Sequence, residues 1–463
     1  MQDFKNISQK KSALSSGFVG GGRNRRLKPD VEPSRFRLPT LEGKRLQQLK
    51  YALLFFAIIL ALVPLSFFAL RKAESAFSQL RTWSSSVSVA APTQAEAAKP
   101  PPVPNNRFEA AGDLLARTEI KGPRVSAVTP EGSQLIYTIQ GDLQKRVYDF
   151  FAKNRVPYGV FVAIEPTSGR ILGMTSYSSI NPAWSKHSAY DLYPMASLFK
   201  IITASAALEN NKITPDSVVE FRGGSYSENP RYWDISPRGR NNRMDATLAM
   251  GKSINPLYGR MASDIAGKTS VMASVSRFGF NQELLPGTPA KPSQAAEPSS
   301  SNNLRLMGAG LNHEVKISPL HAAVIMSAIA NGGKMMAPEL TSSIIDGKGV
   351  ETERFTPREL RRLVTPETSA SLKRMLSSTV LTGTSRKSFH DRRGRPLVDV
   401  PIAAKTGSIN GTDPKGHYTW FAAFAPIQNP RIALVALVIN PDKWKIKASQ
   451  VGEQALEEFF KKE

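Results

Sequence analysis

The sequence predicts an α/β protein of the α+β kind, with an antiparallel sheet at its centre and one transmembrane helix ahead of it. Three observations carry this reading. The last third holds three apolar runs, 401–409, 418–426 and 431–440, joined by turn residues, as in adjacent antiparallel strands. Between 142 and 177 the chain reads as a helix and then a hairpin: Leu143, Val147, Phe150 and Phe151 recur at helical spacing, and two strand-like runs, 158–165 and 170–177, flank Pro166-Thr167-Ser168-Gly169. Residues 51–70 carry no charge, and about 20 such residues are what a helix needs to cross a hydrocarbon core.

In chain order, residues 1–50 form a polar tail with 12 basic and 4 acidic side chains, predicted to be disordered. Its glycine cluster (17, 20, 21 and 22) follows no strand and opens no helix, so it reads as loop and not as a phosphate cradle. Five basic residues lie close before the apolar run (Arg35, Arg37, Lys44, Arg45, Lys50) and three close after it (Arg71, Lys72, Arg81). That imbalance predicts a cytoplasmic tail and an uncleaved inner-membrane span, since a signal peptide's apolar core is only about 7–15 residues. Residues 71–130 are rich in Ala, Ser and Pro, including Pro100-Pro101-Pro102, and read as an extended linker.

Residues 131–463 are predicted to be a single globular domain. After the hairpin, 195–209 is an apolar, Ala-rich run expected to be a buried helix. Residues 245–253 read as helical, whereas 282–303, low in complexity, are expected to loop out into solvent. Ser318-Pro319 and Thr365-Pro366-Glu367 each supply a cap and a first-turn proline, predicting helices over 320–330 and onward to 381. A final amphipathic run, 449–460, is predicted to be helical.

Composition narrows the function classes. With no cysteine, disulfide frameworks and thiolate metal sites are excluded, and the 5 histidines show no ligand-like spacing, so neither metal nor cofactor is expected. A net charge of +23 comes without any nucleic-acid-binding signature, so the expected counterpart is an anionic membrane or cell-wall surface and not nucleic acid.

The chemistry concentrates in three short motifs. Ser197 and Lys200 are three apart at the head of the Ala-rich run, hence on one helical face. A serine needs a base to take its proton, and a half-buried lysine can be that base. Alone the pair means little, because Ser8 and Lys11 share its spacing. The second motif, Ser253-Ile254-Asn255, also has cheap matches, at 300–302 and 408–410, and the bland alternative is a helix cap. The third, Lys405-Thr406-Gly407-Ser408, lies between strand-like runs, and Lys-Thr-Gly occurs once.

In this order the three motifs resemble those of the penicillin-binding-protein transpeptidase family. The resemblance spans about residues 135–463 and implies an antiparallel sheet flanked by the first and last helices, with an inserted helical subdomain. It implies an activity too: D,D-transpeptidation of D-Ala-D-Ala stem peptides of peptidoglycan through an acyl-serine, with covalent inhibition by beta-lactams. By motif, Ser197 is the expected nucleophile, Lys200 its base and Ser253 a proton relay. Asn255 would hold the substrate amide, and Lys405, Thr406 and Ser408 its carboxylate. Gly407 would leave room along the strand, and the backbone N–H groups of Ser197 and Ser408 would form the oxyanion hole. Leu198 stands where many relatives have threonine. A linker of about 60 residues cannot hold the glycosyltransferase domain of bifunctional relatives. Cell-wall synthesis proteins are the expected partners.

Three other functions are compatible with the motifs: a D,D-carboxypeptidase, a serine beta-lactamase, and a non-catalytic beta-lactam sensor or scaffold. Against a lactamase, the chain lacks Glu-x-x-Leu-Asn to position a deacylating water, and Asn255 replaces the aliphatic residue usual in carbamylated-lysine lactamases. Against a sensor, there is one predicted span and no recognisable output domain.

Overall fold

The computed structural model describes residues 107–461 apart from 119, 121, 443 and 444; the tail, the 51–70 span and most of the expected linker lie outside these residues. Among the described residues no helix is long and apolar enough to cross a membrane.

Five antiparallel strands form the central sheet in the order Ala403–Thr412, Lys415–Ala425, Ile432–Asn440, Tyr158–Ile164, Ile171–Tyr177. All nine residues of Ile432–Asn440 are buried, which explains a sequence that reads as a continuous apolar run and not as an alternating one. Its side chains nevertheless alternate between two cores. Val435, Leu437 and Ile439 point into one, Leu434, Ala436 and Val438 into the other. Burying each such Val, Leu or Ile contributes about 1.5–3 kcal/mol.

Helices Gly141–Lys153 and Ala448–Phe460 cover the second face, as expected of the first and last helices of the domain. Helix Pro319–Ala330 covers the other face, and all twelve of its residues are buried. Ser318 caps it, accepting from the His321 N–H at 3.2 Å, and Thr365 caps Pro366–Leu381 in the same way. The helices between 182 and 389 are inserted between the second and third strands of the sheet in chain order, and Lys200–Glu209 runs among them with its first nine residues buried.

Two expectations are corrected. Residues 107–128, read as linker, contain the helix Arg107–Arg117 and the strand Arg124–Val128. Phe108, Ala111 and Leu115 are buried, and Tyr137 donates to the Ala111 carbonyl at 2.9 Å. The helical spacing of those three apolar residues was masked by the Ala- and Pro-rich sequence before them. The stretch 282–303 is not a solvent excursion either. Ser293 and Ala295 are 1% exposed, Asn281 brackets both through its backbone and side chain, and Gln294 exchanges two backbone hydrogen bonds with Lys316. Small side chains here let the chain lie flat against its neighbours.

Candidate active site

Ser197 does not sit in an α-helix. It lies in a 3-10 turn, Ala196–Phe199, that leads into the helix beginning at Lys200. With three residues per turn, positions i and i+3 eclipse, so the lysine stands directly over the serine. Lys200 Nζ is 2.7 Å from Ser197 Oγ. The same nitrogen donates to Asn255 Oδ1 at 2.8 Å and to the Ala309 carbonyl at 2.6 Å.

In the neutral form of Lys200 this set of partners fixes the polarity of the contact. Asn255 Oδ1 and the Ala309 carbonyl can only accept. A neutral amine has two N–H donors, which these acceptors take up, leaving its lone pair for the hydroxyl proton of Ser197. Burial of the side chain, and then the charge of Lys405 nearby, push the Lys200 ammonium well below its ordinary range, so the neutral form is accessible.

Lys405 forms the second half. It is fully buried at the start of Ala403–Thr412, and its Nζ donates to Ser253 Oγ at 2.8 Å and to the Thr406 carbonyl at 2.7 Å. Burial pushes its ammonium down to about 7. Its charge therefore depends on pH and on an anion beside it. Thr406 Oγ1 shares a hydrogen bond with Thr384 Oγ1 at 2.5 Å, and Ser408 is exposed on the same strand.

The backbone is bent to bring these groups together. Ser253 ends the helix Ala246–Lys252 at φ 57°, and Ala196 precedes the serine at φ 53°. Non-glycine residues hold such values at a cost of about 1–2 kcal/mol each, and only where the surroundings over-determine them. At Ala196 the surroundings are two glycines. A β-carbon on Gly310 would collide with the Ala196 carbonyl and lie 2.8 Å from Ser197 Cα; one on Gly407 would lie 3.2 Å from Ala196 Cβ. The Lys405 strand thus packs directly on the turn that carries Ser197.

Asn255 opens the helix Asn255–Arg260, and its carboxamide is held from outside the motif. Its N–H donates to the Ser225 carbonyl at 2.8 Å and its Nδ2 to the Ser227 carbonyl at 3.3 Å. That loop is pinned by Trp233, fully buried, whose Nε1 donates to Ser227 Oγ at 2.9 Å and whose ring rests where Gly259 leaves no side chain.

Of the eight residues singled out in the sequence, five (Ser197, Lys200, Ser253, Asn255 and Lys405) are joined by two short hydrogen-bond chains, and Thr406, Gly407 and Ser408 continue the strand beside them. The sequence reasoning missed the Ala309 carbonyl, the Ser225–Ser227 carbonyls, Thr384 and Gly310. Gly310 alone carried a signal, as a glycine stop after the helix Ser301–Ala309.

The family model of the penicillin-binding protein transpeptidase domain matches residues 159–461. The chain belongs to that family. It is 27% identical over 356 residues to the peptidoglycan D,D-transpeptidase PbpA of Mycolicibacterium smegmatis, covering 67% of this chain and 68% of that one. It is 25% identical over 368 residues to stage V sporulation protein D of Bacillus subtilis, covering 71% of this chain and 54% of that protein. Among solved structures, penicillin-binding protein A of Mycobacterium tuberculosis superposes with a TM-score of 0.60 at 24% identity, covering 71% of this chain and 82% of the other. Its ceftriaxone acyl-enzyme complex gives 0.58 at 25% identity, covering 72% and 81%. The matched span of the family model includes all three motifs.

Proposed function

We propose that the protein is a peptidoglycan D,D-transpeptidase anchored in the cytoplasmic membrane by residues 51–70, with its catalytic domain on the outer side. The observation that carries the chemistry is the environment of Lys200: a buried amine with two fixed acceptors and one serine hydroxyl within hydrogen-bond reach. Ser197 Oγ attacks the carbonyl of the penultimate D-alanine while its proton passes to Lys200 Nζ. The C–N bond then breaks, the terminal D-alanine leaves as an amine, and Ser253 relays the proton to it. An acceptor amine attacks the acyl-serine ester, forming the cross-link and returning Ser197 to its hydroxyl form. The leaving group's carboxylate lies against Lys405, Thr406 and Ser408 and keeps the Lys405 ammonium charged during the reaction. Beta-lactams, which present a strained amide and a carboxylate in the same arrangement, acylate Ser197. Support comes from the named D,D-transpeptidases among the relatives and from the acyl-enzyme structures of penicillin-binding protein A.

The test is a D-Ala-D-Ala pentapeptide assay with and without an added acceptor amine. A transpeptidase yields the amine-linked product in preference to the hydrolysed tetrapeptide; hydrolysis alone would make the protein a carboxypeptidase. For the anchor, protease added to the periplasmic side of spheroplasts is expected to digest residues beyond 72, and protection of that region would reverse the topology.

A further inference from the structure

One hydroxyl from outside the three motifs reaches into the site. Thr384 Oγ1 lies 2.5 Å from Thr406 Oγ1, on the strand that also carries Lys405 and Ser408. Thr384 follows the helix Pro366–Leu381, which packs against both the helix that ends at Ser253 and the Lys405 strand. Its backbone N–H donates to the Gly251 carbonyl at 3.0 Å, two residues before Ser253. A β-carbon on the neighbouring Gly383 would lie 2.1 Å from that same carbonyl oxygen, so the glycine lets the chain pass this close. The backbone of Thr384 is thus held from the Ser253 side while its side chain reaches the Lys405 side. The residue is exposed, so its methyl group adds little to any core.

What this side chain does follows from its protons. A threonine hydroxyl has one proton to give and lone pairs with which to accept, whereas a carboxylate only accepts. When Thr406 donates to Thr384, its proton is spent and it turns lone pairs toward an incoming carboxylate. When Thr384 donates to Thr406, the Thr406 proton points outward and can make a charge-assisted bond, the stronger kind. A hydroxyl that accepts one hydrogen bond is also polarised toward giving its own. Lys405 does not supply that bond, because its Nζ donates to Ser253 Oγ and to the Thr406 carbonyl and not to the Thr406 hydroxyl. Among the described residues, Thr384 is the partner of that hydroxyl.

We infer that Thr384 is a positioning residue for anionic ligands: it donates its hydroxyl proton to Thr406 Oγ1 and so turns the Thr406 proton toward the carboxylate of an incoming peptide or beta-lactam. Thr384 acts through Thr406 and not on the ligand directly. Its donor matters only where the ligand carries an anion, so removing it weakens carboxylate ligands and spares neutral ones. This rests on the transpeptidase reading above, and the experiment separates the two.

The probes are benzylpenicillin and its methyl ester, which differ only in the carboxylate. The second-order rate of Ser197 acylation by each is measured on the full chain by intact-protein mass spectrometry, and the readout is the ratio of acid to ester rates. Thr384→Val keeps the β-branched shape and leaves Thr406 its proton, but removes the partner that turns that proton outward. It should lower the ratio about fivefold, the worth of one ordinary hydrogen bond. Thr384→Ser restores the donor and should return the ratio to within about twofold of the wild type. Thr406→Val should lower the ratio at least as far, and adding Thr384→Val to it should change nothing further, because the two residues act in one chain. A ratio that stays at the wild-type value in Thr384→Val overturns the inference, whether both rates hold or both fall together as a purely structural role would make them. So does a ratio that Thr384→Ser fails to restore. Losses that multiply in the double variant overturn it too, since Thr384 would then meet the carboxylate by itself. Should Thr384→Val react with neither compound, Thr384→Ala is judged by the same ratio. A wild type acylated by neither compound overturns the transpeptidase reading, and this inference with it.

Discussion

At the scale of single residues, the site contains two buried lysines to which the proposed mechanism gives different tasks, and their pH behaviour separates them. Lys200 must be neutral to accept the Ser197 proton, and its neutral fraction grows as pH rises through a value well below the usual lysine range. Lys405 must be charged to meet a carboxylate, and in the free protein its charge is lost as pH rises through about 7. The second-order rate of acylation by a fluorescent penicillin reports the free protein. It is therefore expected to fall above pH 7, and Lys405→Arg, which cannot deprotonate, should abolish that alkaline limb even if its rate is lower throughout. An unchanged limb in the variant would assign it to another group. Both lysines and their partner hydroxyls were legible in the sequence because they sit within short motifs. Of the acceptors that polarise Lys200, the Ala309 carbonyl was not, because a backbone carbonyl is available at every position and only the fold selects one.

At the scale of elements, the turn before Ser197 is shaped by what packs on it. Gly310→Ala would place a β-carbon against the Ala196 carbonyl and at a φ of +73°, where a side chain is strained regardless of space. Gly407→Ala meets only a 3.2 Å approach to Ala196 Cβ and to Trp420 Cβ, which a shift of a few tenths of an ångström relieves. Penicillin acylation should drop at least tenfold in Gly310→Ala and by less in Gly407→Ala; the reverse order would mean that the strand, not the turn, governs the geometry. A second element-scale expectation concerns the domain boundary. Cutting at residue 131 removes Arg107–Arg117 and Arg124–Val128, and with them buried Phe108 and Leu115, a loss on the order of 4 kcal/mol. A fragment beginning near 104 should melt well above one beginning at 131; coincident melting curves would return this stretch to the linker. The capped helices at Ser318 and Thr365 and the fully apolar strands were readable because cap chemistry and periodicity are local. The 3-10 turn at Ser197 and the flat packing of 282–303 were not, because both are imposed by distant contacts, from Gly310 and from Lys316.

At the scale of the whole molecule, the sheet serves to hold the Lys405 strand against the Ser197 turn, while the inserted helices bring Ser253 and Asn255 in from the other side. The sequence showed that the three motifs belong together only through their order; that they meet follows from the sheet, which makes Ala403–Thr412 an edge, and from Trp233, which fixes the loop above Asn255. A beta-lactam adduct keeps its leaving fragment tethered, so that it blocks the acceptor's approach. The most direct measurement is intact-protein and peptide mass spectrometry of the protein after benzylpenicillin is added and then removed. The account predicts one penicilloyl group, mapped to Ser197, absent in Ser197→Ala and persisting from many minutes to hours. Labelling that survives Ser197→Ala, or release at about 1 per second or faster, the low end of ordinary enzyme turnover, would contradict it.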